Sequence, residues 1–264
     1  MTPAILTSLD ARGVAEIRLN RPALHNAFDD TLIADLTAEL AAFDADPAVR
    51  VLVLAAEGKS FSAGADLNWM KRMAGYGQAE NLDDARALAQ LMQTLNQMRV
   101  PTIARVQGAA FGGGVGLAAC CDIVVASERA SFSLSEVRLG LIPAVISPYV
   151  VGKIGASQAR RYFLTAERFD AATALRLGLV HEVVGDAALD DTVATLVAAM
   201  LDNGPQAMGA AKQLIARVAG QPIDAALIDD TAQRIATIRA TTEGREGLTA
   251  FLEKRSPSWA NQQG

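Results

Sequence analysis

One glutamate, Glu136, lies in a mostly apolar segment about twenty residues past three consecutive glycines, Gly112, Gly113 and Gly114. The stretch Gln107 to Pro143 reads QGAAFGGGVGLAACCDIVVASERASFSLSEVRLGLIP. A glycine turn between a strand and a helix N-terminus aims free backbone N–H groups at a bound oxygen. A carboxylate beside such donors is equipment for moving protons next to a carbonyl. The apolar surroundings predict a raised pKa for Glu136, as a proton carrier near neutral pH requires. The glycines have a plainer reading: they let a helix pack tightly on a strand. Two nucleotide readings fail on spacing. G-x-G-x-x-G would place its third glycine on Leu117 or Ala119, and the upstream glycine of a phosphate loop ending in Gly58-Lys59-Ser60 is Val53. Ser60, Ser62 and Ser135 lack a G-x-S-x-G elbow and a histidine partner, which argues against a serine hydrolase.

The elements that must hold these residues alternate. Ile5 to Leu9 and Val14 to Leu19 read as a hairpin about Asp10 to Gly13. Asp29 to Phe43 carries Leu32, Ile33, Leu36 and Leu40 at helical spacing, with Asp29 or Asp30 near the cap. Val51 to Ala55 reads as a buried parallel strand. Lys59 to Leu67 is a second glycine-containing turn between a strand and a helix, so two turns each offer an N–H group. Asn81 to Met98 reads as a helix, Val100 to Val106 as a strand, Val115 to Cys120 as a buried helix and Ile123 to Ala126 as the next strand. After Glu136 the pattern is helical: 156–164, 171–177, 189–201, 206–218, 225–238 and 243–253, with 179–184 extended. Residues 1–200 are expected to form the catalytic core and 201–264 a helical region that either makes a subunit interface or caps the domain.

Composition narrows the function classes. The 264 residues are 51% hydrophobic and 20% charged, enough for a sizeable core. A net charge of −5 makes nucleic acid a poor partner. The two cysteines, Cys120 and Cys121, are adjacent and read as core, which fits a reducing, cytoplasmic compartment. No apolar run is long enough to span a bilayer, and the first ten residues lack the pattern of a secretory signal.

Arg21-Pro22 with Asn26-Ala27, Phe61 to Leu67, Gln107 to Gly114, Cys121-Asp122-Ile123, Phe132, Glu136, Gly140, Ile142-Pro143 and the closing Phe251 to Arg255 with Pro257 occur in a specific order and spacing. On these residues the sequence resembles the crotonase family, the enoyl-CoA hydratases and isomerases, over nearly the whole chain. The resemblance implies an α/β crotonase fold of repeated ββα units with a helical C-terminal region, assembled as a homotrimer or a dimer of trimers. It implies an acyl-CoA thioester as substrate and neither a metal nor a cofactor apart from the coenzyme A of the substrate. The thioester oxygen is expected between the N–H groups of Ala65 and Gly113. Ala23, Leu24, Ala63, Gly64, Leu67 and Gly112 are expected to line the substrate. His25, Lys59 and the Arg21 loop are candidates for the nucleotide end of coenzyme A, as are Phe251 and Lys254 from a neighbouring subunit. Asp66 caps the next helix or bonds near the coenzyme. His181 reads as structural.

One departure matters. Hydratases of this family typically carry two glutamates, and the first of them matches Gly116, which has no carboxylate. Glu136 alone could hydrate through one water, could shuttle a proton between carbons as an isomerase or serve a decarboxylase that uses the same enolate, or the fold could only bind. The stretch Ser135 to Pro148 lacks the usual glycine-rich continuation and resembles the bacterial branch that hydrates 3-methylglutaconyl-CoA in leucine breakdown, or an isoprenoid analogue. Such an acyl group has a second carboxylate, for which Arg138, Lys71 and Arg72 are candidate partners, against the plainer reading of each as a surface charge.

Overall fold

A computed structural model describes residues 3–260. Residues 1, 2 and 261–264, which the bounds 1–200 and 201–264 include, lie outside the described residues. Ile5–Leu9 (β1) and Val14–Leu19 (β2) pair antiparallel about the Asp10–Gly13 turn. Asp10 tightens that turn by accepting the N–H groups of Arg12 and Val14, each at 2.9 Å. Asp30–Ala45 (α1) is capped by Asp29, whose carboxylate accepts the Leu32 N–H at 2.8 Å.

Three repeats follow, each placing one strand in a large sheet, the next in a small sheet, and then a helical segment. The first is Val51–Ala56 (β3), Ser60–Ser62 (β4), then Leu67–Met73 (α2) and Gln78–Asn96 (α3). The second is Thr102–Val106 (β5), Ala109–Phe111 (β6) and Gly113–Cys120 (α4). The third is Ile123–Ser127 (β7), Ser131–Ser133 (β8), a 3-10 turn at Glu136–Leu139, and Ser147–Thr165 (α5). Phe169–Asp170 (β9), Ala171–Leu177 (α6) and Glu182–Val184 (β10) complete the sheets. The large sheet runs β1-β2-β3-β5-β7-β10, parallel from β2 onward; the small sheet runs β4-β6-β8-β9, with β4, β6 and β8 parallel.

The apolar strands of the large sheet are covered on both faces, as their unbroken hydrophobicity demands. One face, with Ile17, Leu52, Leu54 and Val106, packs with α1, α3 and α4 through Leu32, Leu36, Leu91 and Leu117. The other, with Val51, Val53, Ile103 and Val125, packs with Leu189, Val193, Val197 and Leu201 of Leu189–Leu201 (α7). Pro205–Val218 (α8), Ala225–Ala240 (α9) and Thr242–Leu252 (α10) form a further helical layer.

The structure alters several expected bounds. α4 starts at Gly113, two residues early, because its first glycines are helical. α3 starts at Gln78, where Glu80 reaches back to the Gly77 N–H at 2.7 Å. α5 begins at Ser147, nine residues before the expected Ala156. Pro148 sits in its first turn, where a missing N–H costs nothing, and Gly155 interrupts it at φ 73°. Among the described residues no helix is long and apolar enough to cross a membrane.

Arg50 ties the core to the segments beyond α7. It is only 7% exposed. Its guanidinium donates to the carbonyls of Leu201 at 2.8 Å, Asn203 at 3.0 Å and Trp259 at 3.2 Å. Arg50→Met removes the donor from three carbonyls, and we expect a stability loss of about 2–4 kcal/mol. In a thermal melt this should lower the midpoint by roughly 5–15 °C.

Candidate active site

Three adjacent parallel strands of the small sheet end on the same edge, and each delivers one element of the site. β4 leads to Ala65, β6 leads to Gly112 and Gly113, and β8 leads to Glu136. Crevices at the carboxyl ends of parallel strands are where α/β sheets bind their ligands. The loops lie close together: a Cβ placed on Gly64 would stand 3.4 Å from the Phe111 carbonyl oxygen, and one on Gly112 would stand 4.0 Å from the Gly64 Cα.

Gly112 is at φ 51° and ψ −118°, a conformation that favours glycine. Its N–H donates to Ser133 O at 2.9 Å, which locks the turn onto β8 three residues before Glu136. A Cβ there would stand 3.2 Å from Glu136 Oε1, so the missing side chain is also what admits the carboxyl group. Gly113 opens α4, where the first N–H groups have no partner within the helix. Ala65 forms an isolated parallel bridge with Phe28. The bonds of that bridge, Phe28 N–H to Gly64 O and Asp66 N–H to Phe28 O, both 2.7 Å, flank Ala65 and leave its own N–H facing the other way. Among the described residues the N–H groups of Ala65 and Gly113 find no acceptor. Gly113 is half-buried and Ala65 exposed, so a ligand can reach both.

Glu136 opens the 3-10 turn and is half-buried. Its Oε2 is buried with no hydrogen-bond partner among the described residues. Burial pushes its pKa up from the usual carboxylate value, against a weaker opposing contribution from its own backbone N–H. Among the described residues no cation offsets the loss of solvation.

The position of the absent carboxylate is filled. A Cβ on Gly116 would overlap Cγ2 of Ile146 and stand 3.0 Å from the Ile146 Cβ and 3.2 Å from Met92 Cε. An apolar side chain from the start of α5 therefore occupies the space beside Gly116, and no second acid stands there.

The other residues singled out from the sequence fall into two groups. Asp66 is buried and caps α2, accepting the Asn68 N–H at 2.8 Å and the Trp69 N–H at 3.3 Å. Ala63 and Gly64 belong to the same loop, with Leu67 exposed beyond it. Ala23 and Leu24 form an exposed 3-10 turn, and His25 Nδ1 lies 3.0 Å from the Ser60 hydroxyl. The Arg21 guanidinium is engaged by Asp29 at 2.8 Å and Asp66 at 3.3 Å, so it does not point its charge at solvent phosphate. Arg72 is paired with Asp30 at 2.6 Å, whereas Lys59, Lys71 and Arg138 are exposed. Phe251, 81% exposed, and Lys254 sit at the end of α10, which packs on α8 and α9 rather than on the glycine turns. His181 accepts the Val124 N–H on Nδ1 at 3.0 Å, and Cys120 and Cys121 are buried. The sequence reading missed Ile146, Phe28 and the Arg21 clamp; the signal for the first was the apolar Val145-Ile146 where small residues were expected.

A glutamate whose folded pKa is raised stabilises the fold at low pH and ceases to do so as pH climbs through that pKa. Glu136→Gln removes the buried charge. We expect the variant to melt above the wild type at pH 8, the gap closing as pH falls and vanishing below the ordinary glutamate pKa, where both side chains are neutral. A pH series of thermal melts measures this; a wild type that melts higher at pH 8 would mean the carboxylate has a partner.

Comparison with known proteins identifies the family. The description "Enoyl-CoA hydratase/isomerase" matches residues 10–262. The chain is 36% identical to the 2,3-dehydroadipyl-CoA hydratase of Escherichia coli K12 over 245 residues, covering 92% of this chain and 93% of that protein. It is 32% identical to the crotonyl-CoA hydratase of Syntrophomonas wolfei, covering 94% and 95%. The crystal structure of an enoyl-CoA hydratase from Shewanella pealeana superposes with a TM-score of 0.94 at 49% identity, covering 97% and 96%. The ββα repeats carry the crotonase fold, and the chain belongs to the enoyl-CoA hydratase/isomerase family.

Proposed function

We propose that the protein adds water to a 2-enoyl-CoA thioester with Glu136 as the only acid–base group. The observation that carries this reading is the desolvated Glu136 carboxyl group, one oxygen of which is buried without a partner among the described residues, beside two turns whose N–H groups find no acceptor there. The Glu136 carboxylate takes a proton from water while the water oxygen bonds to C3. The π electrons move toward the thioester oxygen, which becomes an enolate held by the Ala65 and Gly113 N–H groups. The Glu136 carboxylic acid then returns its proton to C2, the C–H bond forms and the carbonyl is restored. Each donor contributes about 3 kcal/mol to lowering the barrier. The only coenzyme involved is the one the substrate carries.

The acyl group in this reading is 3-methylglutaconyl, or a branched analogue with a second carboxylate. Two things support it: the likeness of Ser135 to Pro148 to that branch, and a 36% identical relative whose name specifies a dicarboxylic chain. Arg138, two residues from Glu136 and exposed, is the cation proposed to meet the distal carboxylate; Arg72 is committed to Asp30. The helical layer α8–α10 is read as the trimer-forming region. Exposed Ile215, Ile228, Ile235 and Leu248 support that assignment.

Ile146 beside Gly116 favours a second reading, isomerisation. With one carboxylate, an attacking water has a single acceptor to orient it, whereas carrying a proton from C2 to C4 of a 3-enoyl ester requires no water. Following the conjugated-thioester absorbance separates the two. Hydration removes it from a 2-enoyl ester, isomerisation creates it from a 3-enoyl ester, and a protein that only binds does neither.

Glu136→Gln is expected to lower kcat by roughly a thousandfold or more while KM stays within a few fold. Retained turnover would identify another base. On substrate choice, kcat/KM for 3-methylglutaconyl-CoA is expected to exceed that for crotonyl-CoA by about tenfold or more, and Arg138→Gln to erase the difference. Equal values in the wild type would reject the dicarboxylic assignment.

A further inference from the structure

The segment from Arg21 to Asp29 is bonded along its length to the loop that carries Ala65. Asn26 is fully buried at φ 54°. Its Oδ1 accepts the Arg21 N–H, and its Nδ2 donates to the carbonyls of Glu57 and Ser60, all at 2.8 Å. The Ser62 hydroxyl donates to the Asn26 carbonyl at 2.8 Å, and the Ala63 N–H to His25 O at 3.0 Å. Arg21 spans Asp29 and Asp66, the caps of α1 and α2, and donates to Ala27 O at 2.8 Å.

Phe28 stands at the centre of this lacing and touches both turns. Its main chain brackets Ala65 through the two 2.7 Å bonds of the bridge, which fixes the direction of the Ala65 N–H. The residue is 2% exposed, and its ring lies under the first turn of α4. A Cβ on Gly113 would stand 2.9 Å from Phe28 Cε2 and 3.2 Å from Cδ2, so the ring is packed directly against the Gly113 main chain. One residue thus sets the direction of one donor by its backbone and the height of the other by its side chain.

We propose that Phe28 is a positioning residue that fixes the separation of the Ala65 and Gly113 N–H groups. The inference rests on reading those groups as the donors to the thioester oxygen. Donors aimed at a developing oxyanion act on the barrier far more than on ground-state binding, so a displaced donor lowers kcat and leaves KM nearly unchanged. A purely structural role would lower the melting temperature and leave the kcat of the folded fraction alone.

The test uses Phe28→Leu and Phe28→Met, which keep the main-chain bridge and most of the buried volume, alongside wild type and Glu136→Gln. Activity is measured per folded molecule on an enoyl-CoA ester that the wild type turns over. The expected result is a fall in kcat of about tenfold or more in both Phe28 variants, KM within about threefold, and an unmoved pH midpoint, since Glu136 keeps its surroundings. Folded Phe28 variants with kcat within about twofold of wild type, or a loss confined to KM, overturn the proposal while an inactive Glu136→Gln still upholds the reading of the site. A wild type that transforms neither 2-enoyl nor 3-enoyl esters overturns both.

Discussion

A carboxyl group held partly out of water, with no cation beside it and no hydrogen-bond partner on one oxygen among the described residues, is the constraint around which this structure is built. Such a group costs folding energy when ionised. The fold tolerates it because the backbone comes to it: Gly112, by lacking a side chain and turning at positive φ, brings its main chain against Glu136 Oε1. The same turn is bonded to β8, so the carboxylate and the glycines cannot drift apart without breaking the small sheet.

The small sheet is the positioning device. Its three parallel strands are three residues long and contribute little stability alone, but each follows a strand of the well-buried large sheet. The core therefore fixes where β4, β6 and β8 end. Their ends present two unpaired N–H groups and one acid along a single edge. The loop from Arg21 to Asp29 adds a contact that sequence order would not bring together, joining Ala65 to Gly113 through Phe28.

Ile146 changes the chemistry open to the site. With an aliphatic side chain and Met92 beside Gly116, the wall along α4 is apolar where a second acid would stand. In the proposed reaction protons then leave and return through one group. A raised pKa suits that double duty, because the carboxylate has to be a competent base and, one step later, a competent acid.

The residues alone were sufficient for the hairpin, the strands β3, β5 and β7, the cap and periodicity of α1, the extent of α7, and the pairing of two glycine turns with one glutamate. These are local signals: alternation, helical spacing and turn residues act over a few positions and survive in any context. The second sheet was not legible, because three residues carry no measurable periodicity. The first half of α5 was hidden by Pro148, Gly152 and Gly155. Only the tertiary structure decided what faces Gly116, where the Arg21 charge goes and what supports Gly113. Each of these depends on atoms far apart in the sequence or on the direction of a side chain, and spacing along a chain contains neither quantity.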